Sequence, residues 1–525
     1  MISIFAVLLF AGIYKLYFLK GECSVGHSGK KIKRNLISGI VYQTVLVALS
    51  FLLPRLYLEN FGSEVNGVLS TIKQIFTYMC LLEAGVGLAS SQALYKPVAE
   101  NDYGRIGEIL SATNKYYFRT GVIYSVIVLA VAVVYSFVIP TGIDSGVVFA
   151  LVILNAIPAL FSYFIQAKYR ILMEVDGRKY VITNSETALQ LTSSICKILV
   201  LLLTDSLILI QLSYCILAVI QLGYLYMYAR KRYSRLDLSV KPDFKAIEQK
   251  DSVLVHQISG MVFNNTDIIL LSLLCSFKEV SVYAVYSIFF SQVQSFMTNI
   301  ISGFSFALGQ MFHTDRKKFD VYYNAYESLY IMASFIIYTL MGVFLLPLIQ
   351  IYTKGINDAN YTNVPLVFLF VLMNLLANGK LPSNHVLEYA GKFRETRSHA
   401  VTEMIINITA SVAAILKWGI CGAIAGTIAA LVYRGTVMIY YADKKVLGRS
   451  VFKTYRLWIV NGAVFALVMT VFFVDKFSGI SFGQLIIQGI IHSIWITGLY
   501  IGVNFIFGRS SFRTLAKMCK RRKLK

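Results

Sequence analysis

Charge is the scarcest commodity in this chain: Asp, Glu, Lys and Arg make up 14% of 525 residues, whereas 57% are hydrophobic. A soluble globular fold is excluded on that balance. Cysteine is sparse as well. Cys23, Cys80, Cys196, Cys215, Cys275, Cys421 and Cys519 lie far apart, with no CxxC and no histidine at metal-ligand spacing, so neither a disulfide framework nor a metal site is expected. The six histidines are scattered, and no GxSxG, HExxH or P-loop spacing occurs. No stretch between hydrophobic runs is long enough to house an active site of ordinary size. Catalytic residues and cofactors are therefore not expected, and an enzyme is not the favoured class.

What the sequence does contain is hydrophobic runs of roughly twenty residues, the length of helix that crosses a hydrocarbon core about 30 Å thick. With a mean hydropathy of +0.65, the pattern reads as an all-α polytopic membrane protein. Spans are expected near 35–58, 67–92, 117–139, 146–167, 181–203, 206–229, 253–276, 281–307, 326–350, 363–384, 400–416, 420–442, 456–474 and 483–507, about 14 transmembrane helices in all. A further apolar stretch, "ISIFAVLLFAGIYKLYFL" at 2–19, precedes them. It lacks the basic region that introduces a cleaved signal, and is read as an extra N-terminal helix or as the product of an upstream start.

Lys and Arg flanking short loops resist translocation, and their distribution sets orientation. Placing the segment before Asn35 in the cytoplasm leaves only Lys278, Lys354, Lys417 and Lys476 in outer loops. The net charge of +22, which in a soluble chain invites a nucleic-acid partner, is thus topological, and no nucleic acid is expected. The tail "LAKMCKRRKLK" and the loop "RKRYSRLDLSVKPDFKAIEQK" are expected to face anionic membrane lipids. That loop, about 230–251, separates six helices from eight. "GSEVNGVLSTIKQIF" after the first span resembles "FKEVSVYAVYSIFFSQV" after the seventh, as in the parallel repeats of transporters.

An ionised side chain at the centre of a membrane helix costs about 2.5–3.5 kcal/mol, so such residues usually face a partner or a watery cavity. The span "VLVHQISGMVFNNTDIILLSLLCS" carries Asn264, Asn265 and Asp267. The asparagines suit either interhelical hydrogen bonding or sugar contacts, and Asp267 suits a cavity. Lys73 and Glu83 share the second span, ten residues and about 15 Å apart, too far to pair within one helix. Glu186 and Lys197 share the fifth. Arg55 lies near the outer end of the first, where snorkelling is an alternative, and Arg434 near the centre of the twelfth.

The segment "LPRLYLENFGSEVNGVLSTIKQIFTYMCLLEAGVGLASSQALYKPVAENDYGRIGEILSATNKYYFR" resembles the start of the Wzx-type polysaccharide-unit flippases of the MOP exporter superfamily, and "VHQISGMVFNNTDIILLS" resembles their seventh span. The resemblance implies two six-helix lobes around a central cavity, two additional C-terminal helices, and alternating access. The organisation expected is an extra segment at 1–32, an N-lobe at 33–229, a cytoplasmic loop at 230–251, a C-lobe at 252–442, two added helices within 443–508 and a basic cytoplasmic tail at 509–525. The implied cargo is an undecaprenyl-diphosphate-linked oligosaccharide, turned across a bacterial inner membrane for capsule, O-antigen or exopolysaccharide assembly, with a polysaccharide polymerase as a candidate partner.

Chosen by depth, Arg55, Lys73 and Arg434 are the candidates to meet the diphosphate, and Asn264 and Asn265 to meet sugar. Asp267 and Glu83 are candidates to couple sodium or protons. Two alternatives stand beside this reading. One is a MATE-type cation-coupled drug or metabolite antiporter, which shares the plan. The other is a membrane-embedded polysaccharide polymerase or glycosyltransferase, against which the short outer loops argue.

Overall fold

The computed structural model describes residues 26–138, 142–234, 236–247, 266–472, 479 and 481–507. No strand occurs among them, and eleven helices are long and apolar enough to cross a membrane. The protein is an all-helical, multi-pass membrane protein. Its described residues form two compact units, one ending at Ser281 and the other beginning at Val282.

The first unit opens with α1 (Gly26–Met79), two helices run together across Gly62 at φ 76° and ψ −177°. Only glycine adopts that conformation without strain, so the expected first and second spans meet there. A break at Cys80 leads into α2 (Leu81–Glu100), closed by Asn101 in the left-handed region. Asp102 then accepts from the Arg105 backbone N–H and caps α3 (Tyr103–Val133), which continues as a π-helical turn, Val134–Val138. Asp144 caps α4 (Ser145–Phe161), and α5 (Ala167–Val175), α6 (Lys179–Leu203) and α7 (Leu207–Arg232) follow.

Part of the long loop expected at 230–251 is described, and it docks on the protein: Arg105 pairs with Asp243 at 2.6 Å, and a Cβ at Gly107 would meet the backbone of Asp237. The helix α8 (266–274) is held to the first unit by hydroxyl contacts. Tyr78 Oη lies 2.7 Å from Thr266 Oγ1, and Tyr135 Oη 3.1 Å from Ser272 Oγ. Asn66 Nδ2 donates to Ser281 Oγ at 2.7 Å.

The second unit comprises most of α9 (Phe277–Thr314), α10 (Arg316–Tyr352), α11 (Val364–Gly379), α12 (Leu381–Tyr389), α13 (Phe393–Trp418), α14 (Ile420–Tyr440), α15 (Phe452–Val471) and α16 (Phe482–Phe507). Its centre is α10, buried on every side from Tyr330 to Pro347, as an apolar helix without a polar face must be. The last two helices attach to this core through polar contacts. Thr339 Oγ1 meets Tyr500 Oη at 2.7 Å, and Asn504 Nδ2 donates to Asn461 Oδ1 at 2.8 Å.

Helices α13 and α14 pack closely. A Cβ at Gly422 would collide with the backbone of Ala414, and one at Gly426 with that of Ser411. Such small residues let two backbones approach within a bilayer.

Candidate functional site

The close approach of α13 and α14 brings Glu403 and Arg434 together, and a helix break supplies a third charge. Gly379 ends α11 and Pro382 sits in the first turn of α12, leaving Lys380 between them. Lys380 Nζ donates to Glu403 Oε1 at 2.8 Å, and Arg434 Nε lies 3.3 Å from Glu403 Oε2. Arg434 also donates through Nη1 to the Thr396 carbonyl at 3.1 Å. All three side chains are largely buried, with 13%, 9% and 14% exposure for Lys380, Glu403 and Arg434. Arg434 is therefore a depth-chosen candidate whose charge is already engaged. Lys380 and Glu403 were not among the candidates read from the sequence, although "GKLP", inside the span expected at 363–384, carries the signature of a helix restart.

A second buried network was also missed. Arg449, between α14 and α15, donates to Asp443 at 2.8 Å, to both oxygens of Glu327 at 2.6 Å, to Asn324 at 2.5 Å and to Thr454 at 3.0 Å. Burial alone would lower the guanidinium, but the carboxylates of Glu327 and Asp443 and the Tyr323 ring beneath it more than reverse that, raising it above its ordinary value. Glu327 is 1% and Asp443 0% exposed. The network ties α10, the π-helical end of α14 (Tyr441–Val446) and the start of α15 into one block.

In the first unit, Arg55 is ion-paired with Glu59, one helical turn on, at 2.5 Å. Glu186 is held by Arg170 of α5 at 2.7 Å. Lys197 stacks over the Tyr214 ring with its Nζ 4.6 Å from the centroid. Asp267 is 6% exposed in α8, beside the Thr266 hydroxyl that meets Tyr78.

Lys73 differs from all of these. Its side chain is exposed and its ammonium has no hydrogen bond or ion pair among the described residues. Asn264, Asn265 and the side chain of Glu83 lie outside the described residues. The described residues contain no group of three or more His, Cys, Asp or Glu able to hold a metal ion.

Among the described residues, Glu403, Glu327, Asp443 and Glu186 are thus held by cations, whereas Lys73 stands without a carboxylate. The fold is one shared with transporters of the MOP superfamily. A structure described as "Lipid II flippase MurJ, inward closed conformation" matches with a TM-score of 0.64 at 13% identity, covering 90% of this chain and 98% of that one. An inward-facing multidrug resistance MATE family transporter of the MOP superfamily matches with a TM-score of 0.63 at 11% identity, covering 79% and 98%. A MOP superfamily transporter from Pyrococcus furiosus Vc1, for which a binding pocket of reverse polarity and a different function were suggested, matches at 0.52 and 11%, covering 80% and 96%. These neighbours are transporters, not enzymes. No protein-family model and no curated protein matches the chain.

Proposed function

We propose that the protein is a flippase that carries an undecaprenyl-diphosphate-linked oligosaccharide from the cytoplasmic to the outer leaflet of a bacterial inner membrane by alternating access, with the C-terminus cytoplasmic. The observation that carries this reading is Lys73, an exposed ammonium on an apolar helix with no counter-charge among the described residues. A diphosphate leaving water needs a cation, and a charge-assisted hydrogen bond from Lys73 supplies one, while the polyprenyl tail stays in the bilayer. Arg55, already paired with Glu59, and Arg434, already paired with Glu403, act as supporting charge. Each elementary charge moved across the potential is worth about 2.3 kcal/mol per 100 mV, so an anionic headgroup leaving a negative interior moves downhill.

The lipid-flippase neighbour covers 90% of the chain against 79% for the inward-facing MATE transporter, so more of the chain aligns with the flippase. A second reading, a MATE-type cation-coupled antiporter, is favoured by the buried carboxylate of Asp267. Reconstitution in liposomes with labelled undecaprenyl-diphosphate-linked saccharide, read by leaflet accessibility, tests the first reading. Transfer above that of empty liposomes, lost in Lys73→Ala and regained in Lys73→Arg, supports it. No transfer of this cargo, alongside proton- or sodium-driven efflux of amphipathic cations, overturns it.

A further inference from the structure

The outward face of α6 and α7 is built for hydrocarbon over most of its length. Leu191, Ile195, Leu199 and Leu202 on α6 and Ile216 and Ile220 on α7 are all exposed, at 43–75%, which only a lipid environment makes inexpensive. Between the two helices runs a groove of about 570 Å³, within the roughly 300–1,000 Å³ of small-ligand sites. Ala188 opens its floor, and Leu189, Leu217 and Ile220 line its apolar part.

One end of the groove changes character. Tyr180, Tyr224 and Tyr228 line it there, with Asn184 and with Gln221, whose Nε2 donates to Ser185 Oγ at 2.9 Å. Cations gather on these tyrosines. Arg34 sits over the Tyr180 ring, 5.5 Å from its centroid, brought there because Asn35 accepts from the Tyr180 backbone N–H at 2.7 Å and donates to the Gly177 carbonyl at 3.2 Å. Arg178 donates to Tyr228 Oη at 3.4 Å. Lys179 is exposed beside Tyr180, and α7 ends in Arg230, Lys231 and Arg232. Asp176, a carboxylate at this end of α6, is already bound by Arg178 at 2.6 Å and by the Tyr233 hydroxyl at 2.9 Å.

The groove's length matches this polarity. From Tyr180 to Thr192 is twelve residues, about 18 Å of helix, close to half of a hydrocarbon core about 30 Å thick. A basic, aromatic mouth and an apolar trough one leaflet deep describe a particular occupant.

We infer that this groove binds one anionic glycerophospholipid, its phosphate against Arg34 and Lys179 under the tyrosine hydroxyls and one acyl chain along Ala188, Leu217 and Ile220. The lipid seals the seam between α6 and α7, and the site is independent of the cargo proposed above.

Native mass spectrometry of the purified full chain, given equal amounts of phosphatidylglycerol and phosphatidylcholine, tests this. The wild type should retain phosphatidylglycerol preferentially. Removing the two cations placed on the phosphate, Arg34→Ala with Lys179→Ala, should lower its retention by about fivefold per cation. Ala188→Trp, filling the trough, should abolish retention while leaving monodisperse elution unchanged; should that variant misfold, the cation pair decides alone. Equal retention of phosphatidylcholine, unchanged phosphatidylglycerol retention in the cation pair, or displacement of phosphatidylglycerol by equimolar undecaprenyl phosphate would each overturn the inference.

Discussion

Glu403 is the carboxylate on which two buried cations lean, and Glu403→Gln isolates what its charge contributes. Glutamine keeps the shape and still offers an amide oxygen to Lys380 Nζ, but the negative charge is lost and an NH2 donor replaces the oxygen that faces Arg434 Nε. Two cations and one carboxylate give the triad a net charge of +1. The variant raises it to +2, Lys380→Met lowers it to 0, and the double variant restores +1. Opposite charges about 4 Å apart at an effective dielectric near 20 attract by about 4 kcal/mol, and breaking a buried pair from one side costs about 3–5 kcal/mol. Glu403→Gln is therefore expected to destabilise the protein by about 3–5 kcal/mol. Lys380→Met, which leaves Glu403 with Arg434, should cost only about 1–2 kcal/mol. The double variant should recover part of the loss seen in Glu403→Gln, because no excess cation is left behind. Reversible unfolding in mixed micelles measures all four proteins. A Glu403→Gln protein within about 1 kcal/mol of wild type, or a double variant less stable than either single one, refutes the reasoning.

Lys73→Ala should slow headgroup transfer by about tenfold or more in the liposome assay, the value of one charge-assisted hydrogen bond, with insertion and thermal stability unchanged; equal transfer removes Lys73 from the route. Gly62→Ala forces an L residue into a region open essentially to glycine and should cost about 1–3 kcal/mol in the same micelle titration, whereas no loss would mean the kink relaxes freely. Arg449→Lys should destabilise by about 3–5 kcal/mol, since one ammonium cannot reach Glu327, Asp443, Asn324 and Thr454 together, with hydrogen exchange rising first in α15; near-wild-type exchange would show the network to be redundant. Asp267→Asn should abolish any sodium or proton dependence of transport; retention of both dependences would make the carboxylate structural.

Much of the fold was legible because a bilayer imposes one length on every span, and about twenty apolar residues announce it. That Arg434 and Lys73 lie inside apolar helices was legible for the same reason. The angle each side chain takes about its helix axis, and which neighbour that angle selects, were not. Glu403 lies on the helix preceding that of Arg434, and the two meet because Gly422 and Gly426 let the helices close. Lys380 and Arg449 are harder still. Both sit at helix boundaries, where a positive charge ordinarily marks the cytoplasmic side, so the rule that orients the chain also conceals two of its buried ion networks.

Pairing, rather than depth, is therefore what sorts these charges into structural and functional ones. A buried cation with a carboxylate at hydrogen-bond distance has little left for a ligand, since a diphosphate would have to displace that partner before gaining anything. Arg434 faces that barrier at Glu403, Arg55 at Glu59 and Arg449 at two carboxylates. Lys73 faces none among the described residues. The same diphosphate should therefore gain more at Lys73 than at a better-packed cation such as Arg434, and Lys73→Ala should weaken cargo binding more than Arg434→Ala does.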